Sequence, residues 1–270
     1  MFYTDNTPIE EYSISGKTVF VKREDLSACD GCAPSSKVRG AYQLISNSKE
    51  QIFGLYNTRI SLISMVFAPI CHYFGKRLVL GYPELKNYPV PIAVQQAEKY
   101  GAALYGVKNP RTGIGEAHLR NYMKEVDGYY IPLGSNVAES ILVTKKEMDT
   151  IKDSLLEGTL IVSVGSGVTL AGILLSLSHR LFFNTKIIGV TVGKDISRIK
   201  STINKYVDYR SFNLTLLEPE FSYTTPCEIE IPFNCNRYYD AKAYKYLVDH
   251  INELPHPILF WNIGGNLKEN

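Results

Sequence analysis

The stretch TLIVSVGSGVTLAGILLSL, residues 159–177, decides the fold. Thr159–Val164 is rich in β-branched residues, the mark of a strand buried on both faces. Gly165, Ser166, Gly167, Val168 and Thr169 form a turn, and the apolar run that follows continues as a helix. The glycines permit positive φ and a close approach of backbone to ligand. The free N–H groups and positive end of the helix favour an anion, and Ser166 and Thr169 add hydroxyl donors. No Gly-Lys-Ser/Thr follows, so this is not a Walker loop. The full G-x-G-x-x-G spacing is absent, and no acidic residue closes the next strand, KIIGVTVG (186–193). A single phosphate suits the loop best, although an ordinary tight strand-to-helix turn has the same outline.

Outward from this unit the same alternation repeats. Strands are expected at 18–24, 51–57, 77–83, 103–108, 129–133, 159–165, 186–193 and 257–265. Helical patterns lie between several of them: VRGAYQLISN, SLISMVFAPICHYFG, PIAVQQAEKYG, GEAHLRNYMKEV, ESILVTKKEMDTIKDSLL and TLAGILLSLSHRLF. Apolar strands alternating with amphipathic helices predict an α/β protein with buried parallel sheets. For 270 residues the natural architecture is two open-twisted parallel-sheet lobes with a cleft between them. No internal repeat or low-complexity linker marks the division.

The composition is that of an ordinary globular chain, 45% apolar and 21% charged, which argues against disorder. A net charge of +2 does not point to nucleic acid or a membrane surface. The most basic segment, 193–210, is interrupted by Asp195 and Asp208 and reads as a solvated helix face. The longest apolar run, ISLISMVFAPICHYFG (60–75), is too short to span a bilayer and contains Pro69 and His72. MFYTDNTPIEEY lacks the features of a secretory signal. Five cysteines at irregular spacing suit a reduced, cytoplasmic protein. Cys29 and Cys32 form a C-x-x-C, but no second pair stands at zinc-finger spacing, and no metal is expected.

A second feature lies upstream. In SACDGCAPSSKVRGAYQ (27–43) a run of small residues leads to Lys37 at the mouth of a predicted helix. A phosphate cup together with such a lysine suggests pyridoxal 5'-phosphate, which needs an amine for a Schiff base and a cup for its phosphate. Taken alone, Lys37 is equally a solvated lysine at a helix start.

VFVKREDLSACDGCAPSSKVRGAY (19–42) resembles the lysine segment of the tryptophan-synthase-β-like, fold-type II pyridoxal-phosphate enzymes. The nearest branch is that of aminocyclopropane-carboxylate deaminase and D-cysteine desulfhydrase. VGSGVTLAGIL resembles the branch's V-G-S-G-G-T phosphate loop, and PILFWNIGG (257–265) resembles its closing F-x-H-T-G-G strand. The resemblance implies that Lys37 carries the cofactor and exchanges it with a substrate amine, and that residues 165–169 hold the phosphate. It also implies a homodimer. The larger, cofactor-binding lobe would comprise residues 1–41 and 133–270. Residues 42–132 would form a smaller lobe closing over the substrate.

The departures are specific. The branch's Ser-Asn-His run falls at Ser61, Leu62 and Ile63, so only the serine is kept, as a catalytic candidate or as a helix cap. Asn57 is a candidate replacement for the lost asparagine. Ser36, Val168, Asn262 and Ile263 also depart from the pattern. Glu230 is the candidate for the glutamate that contacts the cofactor's ring nitrogen, or else an exposed strand-edge residue. Gly134, Ser135 and Asn136 resemble the branch's Gly-Ser-Asn turn and equally suit a helix cap. The expected activity is a lyase or deaminase acting at Cα of an amino acid. One alternative is a decarboxylase or lyase acting on an aminoacyl group attached to a larger molecule, such as a modified nucleotide. Another is a non-catalytic phospho-ligand-binding protein of the same fold.

Overall fold

The computed structural model describes residues 3–27, 29–180, 185–193, 195–218 and 221–267. Leu181 and Phe182, at the end of one expected helix, and Lys194, in the basic segment, lie outside these. The chain forms two compact units. One comprises Met1–Tyr3, Ala28–Ala33 and Lys37–Glu139; the other comprises Thr4–Ser27, Pro34–Ser36 and Ser140–Asn270.

The second unit is built on strands β1 (Ile9–Ile14), β2 (Lys17–Arg23), β7 (Thr159–Val164), β8 (Lys186–Thr191), β9 (Leu214–Leu217) and β10 (Ile258–Asn262), in the order β1-β2-β10-β7-β8-β9. All pairs are parallel except the β1–β2 hairpin. The central strands β7 and β10 are buried along their whole length. Period-two alternation explains why both read as unbroken apolar runs. Leu259 and Trp261 face a core made with α5 (Ala138–Asp149), α6 (Val168–Leu177) and α7 (Ile196–Ile203). Ile258 and Phe260 face the opposite core, made with α8 (Asp240–His250). Each such fully buried large side chain contributes about 1.5–3 kcal/mol. The two strands the sequence did not announce, β1 and β9, are the sheet's edges. IEEYSI is too polar, and LTLL too short, to show an apolar run.

The first unit holds β3 (Ile52–Tyr56), β4 (Arg77–Pro83), β5 (Ala103–Val107) and β6 (Tyr129–Ile131), all parallel, in the order β5-β4-β3-β6. Its helices are α1 (Lys37–Asn47), α2 (Ser64–Tyr73), α3 (Ile92–Glu98) and α4 (Thr112–Glu125). Eight consecutive residues of α2, Ser64–Cys71, are buried although Pro69 sits inside the helix. A proline there cannot donate to the carbonyl four residues back, Met65 O. Ala33 N takes that carbonyl instead, at 2.9 Å. No described helix is long and apolar enough to cross a membrane.

Candidate active site

The loop after β7 has the backbone that its glycines suggested. Gly167 precedes α6 in the left-handed region, with φ +88°. A Cβ there would also stand 3.2 Å from Ile199 O in α7. No side chain caps α6 and its first turn carries no acidic residue, so its leading N–H groups are left for another acceptor. Val168, where the family has glycine, turns its side chain into the apolar core and is 4% exposed. The substitution therefore leaves only a backbone N–H at the loop. Gly165 and Ser166 are half-buried, and Thr169 is buried.

The segment before Lys37 ends on the same edge of this sheet. Ser35 bridges to Gly264, Ser36 N donates to Ile263 O at 2.8 Å, and Gly265 N donates to Pro34 O at 3.0 Å. These contacts fix residues 34–36 at the carboxyl end of β10. Strand β10 pairs in parallel with β7, Trp261 opposite Val162, so loop 165–169 leaves the sheet at the neighbouring strand's carboxyl end. Ligands bind at that edge in open parallel sheets. Lys37, half-buried, follows Ser36 by one peptide bond and opens α1.

The charged run that precedes the lysine is scaffold. Lys22 Nζ lies 2.7 Å from Glu147 Oε2 and donates to Thr7 O at 2.6 Å. Arg23 makes two 2.9 Å bonds to Asp25. Asp25 in turn accepts from Asn262 Nδ2 at 2.8 Å, tying the end of β2 to the end of β10. Asn262 Oδ1 is buried with no hydrogen-bond partner.

Asp240 was not anticipated. It is 1% exposed and accepts hydrogen bonds from Ser163 Oγ (2.7 Å) and Ile263 N (3.1 Å), joining β7 to the turn after β10. Burial outweighs those bonds and raises its pKa to about 7. An aspartate opening a helix is an ordinary sequence feature, and only the tertiary packing reveals its burial. Glu230, by contrast, is exposed, in a segment with no helix or strand.

In the first unit, Asn57 is fully buried and its amide is spent on its own loop. Nδ2 donates to Thr58 O (2.7 Å) and Ser61 O (3.1 Å), and Oδ1 accepts from Ser64 N at 3.1 Å. Ser61 Oγ accepts from Ile63 N at 3.3 Å, a local turn contact ahead of α2, which has no side-chain cap. Gly134 and Ser135 both have positive φ in a tight turn before α5, and Ser135 is fully buried.

No family model matches the chain. It is 31% identical, over 280 aligned residues, to the glycyl-dTMP PLP-dependent decarboxylase of Pseudomonas phage M6, an alignment covering 96% of this chain and 99% of that one. The chain belongs to the fold-type II pyridoxal-phosphate enzymes. Solved structures share the fold at low identity. An ACC deaminase homologue superposes with a TM-score of 0.77 at 19% identity, covering 96% of this chain and 89% of that one. The processed form of threonine deaminase isoform 2 from Solanum lycopersicum gives 0.66 at 16%, covering 97% and 80%. O-ureido-L-serine synthase gives 0.74 at 14%, covering 97% and 89%.

The enzyme's residues fit its cofactor. An uncapped helix start with a left-handed glycine and no nearby acid in its first turn is a donor set for a phosphate. The orphaned Asn262 Oδ1 marks unmet hydrogen-bonding capacity at the adjacent strand end. In this PLP-dependent enzyme the loop's left-handed glycine and uncapped helix start are backbone features, and the substituted Val168 does not alter them.

Proposed function

We propose that the enzyme removes CO2 from an aminoacyl group, of the glycyl kind, carried on a nucleotide. The observation that carries this reading is the relative matched over almost the full length of both chains, at 31% identity, which is named as a decarboxylase of glycyl-dTMP. The deaminases, lyases and synthase that share the fold are 11–19% identical, and that likeness speaks to fold alone.

Lys37 is proposed to hold the cofactor through its amine, with the N–H groups of Gly165, Ser166, Gly167, Val168 and Thr169 and the Ser166 and Thr169 hydroxyls on the phosphate. When bound, pyridoxal phosphate supplies an aldehyde that captures amines and a ring that accepts the electron pair left by a broken Cα bond. Loss of CO2 leaves that pair at Cα, and the Lys37 ammonium is the proposed donor of the proton that replaces the carboxylate. Leu62, Ile63 and Ile263 stand where the family has hydrogen-bonding side chains. A carboxylate beside such groups is poorly solvated, which favours its departure. Ser61 is proposed to contact the substrate, with Asn57 shaping the loop that presents it. Glu230 remains the proposed ring-nitrogen partner, the role least supported by its exposure.

The same reading carries the two-lobed division at residues 41/42 and 132/133, a homodimer, and a reducing, cytoplasmic setting that suits five free cysteines. Incubation with glycyl-dTMP carrying a labelled carboxyl carbon tests the reaction. Labelled CO2 and a nucleotide product retaining its amine are expected. Ammonia release, or turnover of free amino acids with none of the nucleotide, would return the assignment to deamination or β-elimination.

A further inference from the structure

The C-x-x-C at Cys29 and Cys32 has no part in the proposed reaction, yet the structure gives it a defined geometry. Cys32 N donates to Cys29 O at 2.8 Å, closing a four-residue turn. Gly31 occupies that turn with φ +77°, and a Cβ there would stand 2.2 Å from the Tyr100 hydroxyl oxygen. Such a turn holds its end Cα atoms within about 7 Å, inside the range a disulfide spans. The turn is docked on α2 by Ala33 N to Met65 O (2.9 Å) and by Cys32 Sγ to Val66 O (3.6 Å). Pro69 makes this docking favourable by leaving Met65 O without an intrahelical donor.

The neighbouring Cys32 thiol lowers the Cys29 pKa, and Cys29 together with burial raises that of Cys32. A low-pKa thiol beside a second thiol is the arrangement of a reactive pair. Cys29 is buried and Cys32 half-buried; the other three cysteines are buried too, but there burial raises the pKa, that of Cys71 to about 12 and those of Cys227 and Cys235 as well. Among the described residues no group of three or more His, Cys, Asp or Glu side chains could hold a metal ion, which leaves the pair two ligands short of a structural zinc site.

We propose that Cys29 and Cys32 are a redox-active dithiol that closes to a disulfide on exchange with a small-molecule disulfide. The Cys29 thiolate attacks the reagent disulfide, forming a mixed disulfide and expelling one thiolate. Cys32 gives up its proton and attacks the Cys29 sulfur, forming the Cys29–Cys32 bond and expelling the second thiolate. The protein loses two electrons and two protons, and the reagent disulfide is reduced to two thiols. Cys32 then has no S–H for Val66 O. This inference stands whether or not the decarboxylase reading is right.

The test is to incubate the reduced protein with oxidised glutathione, denature and alkylate it, and map the peptides. The peptide following Arg23 should lose two hydrogens and escape alkylation at both cysteines, while Cys71, Cys227 and Cys235 are alkylated. Cys32→Ser should stop at a glutathione adduct on Cys29. Cys29→Ser should react on the order of tenfold more slowly, having lost the lower-pKa thiol. Full alkylation of both cysteines in the wild type, or glutathione appearing first on Cys71, Cys227 or Cys235, would overturn the proposal.

Discussion

Loop 165–169 and loop 57–64 were both assigned to the cofactor's surroundings, and they have been treated differently. The first is proposed to work through backbone: a left-handed Gly167, an uncapped helix start, and a valine that hides its side chain in the core. It keeps its form despite a substitution. The second would work through side chains, and there the family's asparagine and histidine are replaced by Leu62 and Ile63, while Asn57 satisfies its amide within the loop. Phosphate anchoring tolerates sequence change because N–H groups are common to nearly all residues. The groups that choose a substrate have no such substitute.

That contrast can be broken by mutation. The largest expected effect is on catalysis: Lys37→Ala should lower turnover by roughly 10²–10⁴-fold, the usual worth of a positioned proton-transfer group, while leaving the melting temperature nearly unchanged. A Lys37→Ala protein with wild-type turnover would end the assignment. Next is Asn57→Ala, which strands the buried Ser64 N–H. It should cost about 2–3 kcal/mol in denaturant unfolding, a structural penalty rather than a selective loss of cofactor. If Asn57→Ala instead folds normally and loses only cofactor, the side chain serves the cofactor directly.

Gly167→Ala should cost about 1–2 kcal/mol for placing a side chain in left-handed backbone and should weaken cofactor binding in a spectroscopic titration. Equal binding by the variant would mean that the loop's shape is not what holds the phosphate. The smallest change at neutral pH is expected for Asp240→Asn, whose diagnostic is a slope. The Asp240 pKa is about 7 in the fold against a model-peptide value near 4, so the folded state binds its proton more tightly. Its contribution to stability is therefore fullest below about pH 4, declines as pH rises towards 7, and is flat above that. Asp240→Asn should flatten the dependence of unfolding free energy across that window. An unchanged slope would show that the carboxyl does not titrate there.

The sequence was most informative where structure depends on backbone and apolar pattern. Eight parallel strands were legible, and burial on both faces makes runs such as LVLGY and TLIVSV stand out most. Edge strands β1 and β9 were not, because an edge needs no such run. The lysine and phosphate motifs could be named from their residues. The placement of Ser36 on Ile263, next to the strand that feeds the phosphate loop, needed the β10–β7 pairing, which joins residues about a hundred positions apart. Asp240 was hidden for the same reason: its partners Ser163 and Ile263 lie far away in sequence. Nothing in CEIEIPF distinguished an exposed Glu230 from a buried one.

The central claim is that the nitrogen at position 37 carries the cofactor. Borohydride reduction of the purified enzyme, followed by proteolysis and mass spectrometry, measures this directly. The account predicts that a reduced pyridoxyl-phosphate group is found on Lys37, and that Lys37→Ala abolishes the adduct. The group appearing on another lysine, or on none in a protein that binds the cofactor, would contradict it.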